Sequence, residues 1–266
     1  MVHGLDKFLE YFKDHANQYV FIGGTACDIL MEELGAQFRA TKDIDMVLIV
    51  EALDVSFGET FWKFIEDGDY EHREKSNGKN IFYRFKDPKD NSYPKMIELF
   101  SKHPDSLKLR FDTGLTPIHI DDSIISLSAI ILSDDYYDLL TCRKKVLEGY
   151  SLLEIEIVIL FKIKAYLDMK ERKESGELVD SRDIKKHKND TFRLLSNVVP
   201  SSRVEISVEI QKDVVKFIDQ IRGDEPDLKS LGIRGYTLDD MLDILQNVYL
   251  IPTKSKYKSI EESRAL

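Results

Sequence analysis

Disulfide bonding has little to work with in this chain: 266 residues contain two cysteines, Cys27 and Cys142, in unlike surroundings. A secreted disulfide scaffold would carry more, at shorter spacing. Both are therefore expected to be reduced core thiols, in a cytoplasmic protein. Long apolar runs are missing as well. None approaches the roughly 18–20 residues of a membrane span, and the N-terminal MVHGLDKFLEYFKDHANQY lacks the apolar centre of a signal peptide. No membrane partner is expected. Glycine and proline are few, at 13 and 7, which excludes a collagenous or low-complexity chain. Excess positive charge is absent too: 38 basic residues face 48 acidic ones, a net charge of -10. Such a chain repels nucleic acid at long range unless a local basic patch or bound cations intervene. A small anionic substrate delivered with Mg²⁺ stays open.

The patterning that is present divides the chain near residue 150. Leu5, Phe8, Leu9 and Phe12 mark an amphipathic helix over 4–17. Tyr19 to Ile22 read as a short strand ended by Gly23-Gly24, and Thr25 to Leu34 as a helix that Thr25 would cap. Asp43 to Val50 read as a second strand and 59–67 as a helix. A period of two then runs through 69–75 and 80–86 around Asn77-Gly78, a hairpin signal. Lys95 to Ser101 form another strand, 102–133 show no clear period, and 134–146 read as helical. From Ser151 onward the chain reads as helices. EIEIVI alternates like a strand, but the length of SLLEIEIVILFKIKAYLDMKERK favours a long buried helix. Further amphipathic helices cover 206–221 and 237–249. The expectation is an α+β fold: a small mixed β-sheet flanked by helices over residues 1–150, and an all-helical domain over 151–266.

Asp43-Ile44-Asp45 opens an otherwise apolar strand. Residues two apart share a strand face, with Cα atoms about 6.5 Å apart. Two bare carboxylates that close raise each other's pKa, and a hard divalent cation relieves the repulsion. Alternatively, both sit at the solvated strand end and cap a turn. A second such pair, Asp67 and Asp69, lies in a polar glycine turn and reads as a solvated loop. Upstream, a strand followed by Gly23, Gly24 and Thr25 and then a helix presents N–H groups and the positive end of a helix dipole, a cradle for phosphate. In KMIELFS, Glu98 is an acid inside an apolar strand and needs a partner. Beside Asp43 and Asp45 it would ligate a metal and accept a proton from a nucleophile; a salt bridge to Arg84 is the other reading.

The run FIGGTACDILMEELGAQFRATKDIDMVLIV, residues 21–50, resembles the first motif of the nucleotidyltransferases of the DNA polymerase β superfamily. Its G-G-T-A followed by R-x-T-x-D-I-D is most similar to the AbiEii-type enzymes, toxin-like members of bacterial toxin–antitoxin and phage-defence systems. In the helical half, FKIKAYLDMKERKESGELVDSRDIKKHKNDTFRLL resembles the family's K-h-x-A helix and R-D-h segment. Lys162 falls on the family's lysine, and Arg182 and Asp183 on its R-D pair. The family often has a second aspartate three residues after the first; here Lys186 stands there instead. The resemblance implies a Mg²⁺-dependent (or Mn²⁺-dependent) transfer of NMP from an NTP to an acceptor hydroxyl of tRNA or protein, and a cognate antitoxin. Asp43 and Asp45 would be catalytic and hold the metal; Glu98, outside the matching segments, joins them on the reading of its strand and the general logic of the superfamily. Gly23, Gly24, Thr25, Arg39 and Lys162 would bind the nucleotide.

Lys162 lies in a very apolar stretch, so it needs a phosphate, a carboxylate such as Asp183, or a route to solvent. Residues 162–193 hold ten Lys or Arg against seven Asp or Glu, a modest basic island. His119 and His187 stand alone and read as structural. A nucleotide-binding or partner-binding module without catalysis remains the alternative to an enzyme, and a phosphotransferase of the same fold a third.

Overall fold

The computed structural model describes residues 2–39, 41, 43–71, 82–102 and 133–251. The Asn77-Gly78 turn, most of 102–133 and His119 lie outside the described residues. The fold is α+β. Six strands form one mixed sheet: β1 Tyr19–Phe21, β2 Asp43–Leu48, β3 Phe82–Lys86, β4 Met96–Ser101, β5 Lys144–Leu147 and β6 Tyr150–Leu153. Their order across the sheet is β3-β4-β2-β1-β6-β5. The pairings β2–β4 and β1–β6 are parallel, and the others, including the central β1–β2, antiparallel. The α-helices are α1 Leu5–Phe12, α2 Gly23–Glu33, α3 Val55–Asp67, α4 Asp134–Cys142, α5 Ile155–Glu174, α6 Ser181–Leu195, α7 Val208–Ile221 and α8 Leu238–Val248.

Alternation along the strands gives the sheet two unlike faces. Phe21, Met46, Leu99, Ile97 and Phe85 lie on one side through their register partners. That side meets α1 and α3 in an aromatic core: Phe8 stacks on Phe12 at 4.2 Å and meets Phe21 at 5.1 Å, and Phe61 meets Phe85 at 5.3 Å. Asp43, Asp45, Arg84 and Glu98 therefore point to the opposite side. The rows β3-β4-β2 place Arg84, Glu98 and Asp45 side by side.

The long apolar run resolves as α5, whose residues Ile157 to Ile163 are all buried. A helix apolar all round belongs in a core, which is why the local strand-like alternation lost. Helix α8 carries a capping box between Thr237 and Asp240. Among the described residues no helix is long and apolar enough to cross a membrane.

Two local expectations are corrected. The helix expected over 134–146 ends at Cys142, and Lys144–Leu147 instead pair with Tyr150–Leu153 as a hairpin. Its turn is Glu148-Gly149, with φ of 50° and 88°, the left-handed pair that two-residue hairpins require. The sheet thus runs past the border expected at residue 150. The buried core is likewise one connected cluster reaching from Val2 to Ile251. The second correction concerns Thr25. Helix α2 begins two residues earlier, at Gly23, with Ile22 as its N-cap. The Thr25 hydroxyl donates to the Asp43 carbonyl at 2.6 Å, tying α2 to β2 rather than capping the helix.

Candidate functional site

The acids that stood out in the sequence meet on the sheet face away from the aromatic core. Asp43 and Asp45 are partly buried and flank the fully buried Ile44. Across the parallel pairing, Asp45 stands opposite Glu98, while Asp43 stands opposite Met96. The Asp45 and Glu98 carboxyl groups are hydrogen-bonded to each other, Glu98 carrying the proton. Burial, then the Asp45 charge, push the Glu98 carboxyl up to about 8, against the pull of Arg84. Burial also raises Asp45, opposed by the bond from Glu98 and by the charges of Lys162 and Lys186. On its other side Glu98 accepts from Arg84 Nε at 2.6 Å. Glu98 stands beside Asp45 and is bridged to Arg84, the salt bridge that the sequence offered as the other reading.

The N-terminus of α2 abuts this pair. Gly24 N–H donates to Asp45 Oδ2 at 3.4 Å. A Cβ on Gly23, whose φ is +62°, would lie 1.9 Å from Asp45 Oδ2, and one on Gly24 would lie 2.7 Å from Thr41 Oγ1. Only glycine permits approaches this close. The glycine pair therefore brings the positive end of α2 onto Asp45.

Lys162 and Arg39 converge elsewhere, on an acid the sequence reading did not single out. Asp190 on α6 is fully buried. It accepts from Lys162 Nζ at 3.2 Å and from Arg39 Nη2 at 3.2 Å, and pairs with Arg193 at 3.4 Å. Burial alone would raise its pKa, but Lys162 and Arg39 outweigh that and hold it below the usual carboxylate range. The carboxylate partner of Lys162 is thus Asp190, not Asp183. Arg182 points to solvent, 91% exposed, and pairs with the N-cap residue Asp180. Lys164, around the helix from Lys162, pairs with Asp213.

Helical spacing aligns Asp183, Lys186, His187 and Asp190 on one side of α6. Lys186 is partly buried and has no hydrogen-bonded or ionic partner among the described residues. Burial, Arg39 and Lys162 lower its pKa. The two ring nitrogens of His187 are buried without a partner, and burial, then the nearby lysines, hold the ring neutral. Cys27, buried in α2, gives its thiol hydrogen to the Gly23 carbonyl at 3.0 Å, and burial raises its pKa to about 11. It is a structural thiol, whereas Cys142, also expected in the core, is exposed at the end of α4. The i, i+3, i+4, i+7 spacing of residues 183–190 was the available signal for Asp190, Lys186 and His187. The other aspartate pair is a solvated turn: Asp67 binds Lys63 and Tyr11, and Asp69 binds Lys89.

Among the described residues no group of three or more His, Cys, Asp or Glu side chains is arranged to hold a metal ion. The donors at Asp45 and Glu98 do suit a hard cation. Two carboxyl groups held together by one proton can trade that proton for a divalent ion. No family model matches the chain, and neither the curated proteins nor the solved structures contain a match.

Proposed function

We propose that this chain is a nucleotidyltransferase of the DNA polymerase β superfamily. Within that class we place it with the AbiEii-type enzymes, on the resemblance of residues 21–50 and of the Lys162 segment. One observation carries the reading: Asp45 and Glu98 stand side by side across parallel strands on one sheet face, with the N-terminus of α2 against Asp45. Two acids forced together cost stability without returning any, as expected of a site kept for chemistry.

On this reading Asp43 and Asp45 hold Mg²⁺ (or Mn²⁺), with Glu98 alongside, and the NTP lies over Gly23, Gly24 and Thr25. The metal supplies charge neutralisation on the triphosphate. The α2 N-terminus adds the partial positive charge of the helix dipole. A cation bound beside it would displace the proton of Glu98, whose carboxylate would then take up the proton of the acceptor hydroxyl. The hydroxyl, on tRNA or protein, attacks the α-phosphate in line; the new P–O bond forms as the bond to pyrophosphate breaks. Catalysis is chiefly positioning and charge neutralisation. A cytoplasmic, toxin-like role with a cognate antitoxin follows from the resemblance alone.

The test is label transfer from each NTP with Mg²⁺ to total tRNA or to protein. Asp45→Asn is expected to abolish transfer while its thermal melt stays cooperative. Full activity in that variant would sink the proposal. A second reading, a nucleotide-binding or partner-binding module without catalysis, is favoured by the Arg84 bridge that already engages Glu98. Wild-type protein that binds NTP but transfers no label would select it.

A further inference from the structure

Four cations approach the acid-bearing side of the sheet with partners of their own. Arg39, Lys162 and Arg193 are bound by Asp190, and Arg84 by Glu98. Lys162, on which the family resemblance places nucleotide contact, is 3% exposed. Its charge is met inside the protein.

Lys186 differs. It lies one turn before Asp190 on the same side of α6, and its charge acts on Asp45. No described carboxylate pairs with it. Asp45 itself is engaged by Gly24 N–H and by Glu98. Burial and the repulsion of Arg39 and Lys162 outweigh the more distant pull of Asp190 and Asp183, and no carboxylate makes a direct contact with the Lys186 ammonium. Next to it, His187 offers two buried ring nitrogens with no partner. An incoming anion would accept from the Lys186 ammonium, and the one N–H of the neutral His187 ring is a second donor beside it in the chain. Lys186 is also the position where the chain departs from the R-D segment it resembles.

We propose that Lys186, rather than Lys162, is the side chain that receives the phosphate groups of the bound nucleotide. This rests on the nucleotidyltransferase reading of the site. Lys162 is then a positioning residue that, through Asp190, fixes α5 and α6 against the segment carrying Arg39.

The test is calorimetric titration of the full chain with ATP, GTP, CTP and UTP in Mg²⁺, and with inorganic triphosphate. Lys186→Met is expected to weaken the preferred NTP and inorganic triphosphate by about tenfold or more, the worth of one charge-assisted contact. Lys186→Arg should stay within about threefold of wild type. The thermal midpoint of Lys186→Met should hold or rise, because no internal partner is lost. Lys186→Gln replaces it if the methionine variant does not fold. Wild-type binding with unchanged affinity in the neutral variants overturns the inference alone. Wild type that binds no NTP overturns the nucleotidyltransferase reading and the inference with it.

Discussion

Asp190 and the Asp45–Glu98 pair are two buried acid centres facing the same space, and they are balanced in opposite ways. Asp190 has three cations on one carboxylate and ionises more readily than usual. Asp45 and Glu98 have two carboxyl groups with one bridging arginine, and share a proton instead. The first centre joins three parts of the chain: the segment after α2, helix α5 and helix α6. Its one negative charge is shared among three cations, so the centre keeps an excess of positive charge. The second is short of positive charge, as a cation-binding site must be before its cation arrives. The same side chains do different work because of which neighbours the fold supplies.

The largest test of that contrast is Asp190→Ala. It would leave Lys162 buried and unpaired and is expected to cost about 3–5 kcal/mol, read by urea denaturation. A loss under about 1 kcal/mol would mean that Asp190 is not the structural centre described. Next is Gly23→Ala, which sets a Cβ against Asp45 Oδ2 in a left-handed backbone. About 1–3 kcal/mol is expected. Combining it with Asp45→Ala should recover part of the loss in a double-mutant cycle; strict additivity would show that the contact does not set the cost.

The last test reads a slope with pH rather than a single loss. Glu98 is raised from 4.5 to about 8 in the folded protein. Between those values the folded state keeps a proton that the unfolded state releases. This group therefore favours folding least at high pH: its contribution is intact below about pH 4.5 and is lost as pH rises through 8, by no more than about 1.4 kcal/mol per pH unit. Glu98→Gln, which cannot titrate, is expected to flatten stability between pH 5 and 8. An unchanged slope would remove the shared proton from the comparison.

Much of the scaffold was legible in the sequence because it follows from local periodicity. The amphipathic stripe through Leu5, Phe8 and Phe12 appeared as α1. The alternation around Asp43 and Asp45 put both acids on one strand face. The hairpin at Lys144–Leu153 was missed because its turn, Glu148-Gly149, fell at the border assigned to a domain change. Glu98 was picked out as an acid in an apolar strand, a conflict between local pattern and composition.

The sequence by itself determined the elements, the α+β class and the residues whose chemistry conflicts with an apolar setting. Only the tertiary structure decided their partners. Arg39 reaches an aspartate 151 positions away, Glu98 lies between Arg84 and Asp45 through strand register, and Lys186 is left over when the other cations are taken. Periodicity repeats over a few residues and fixes which way a side chain points. Charge compensation depends on distances between segments, and those exist only after the chain has packed.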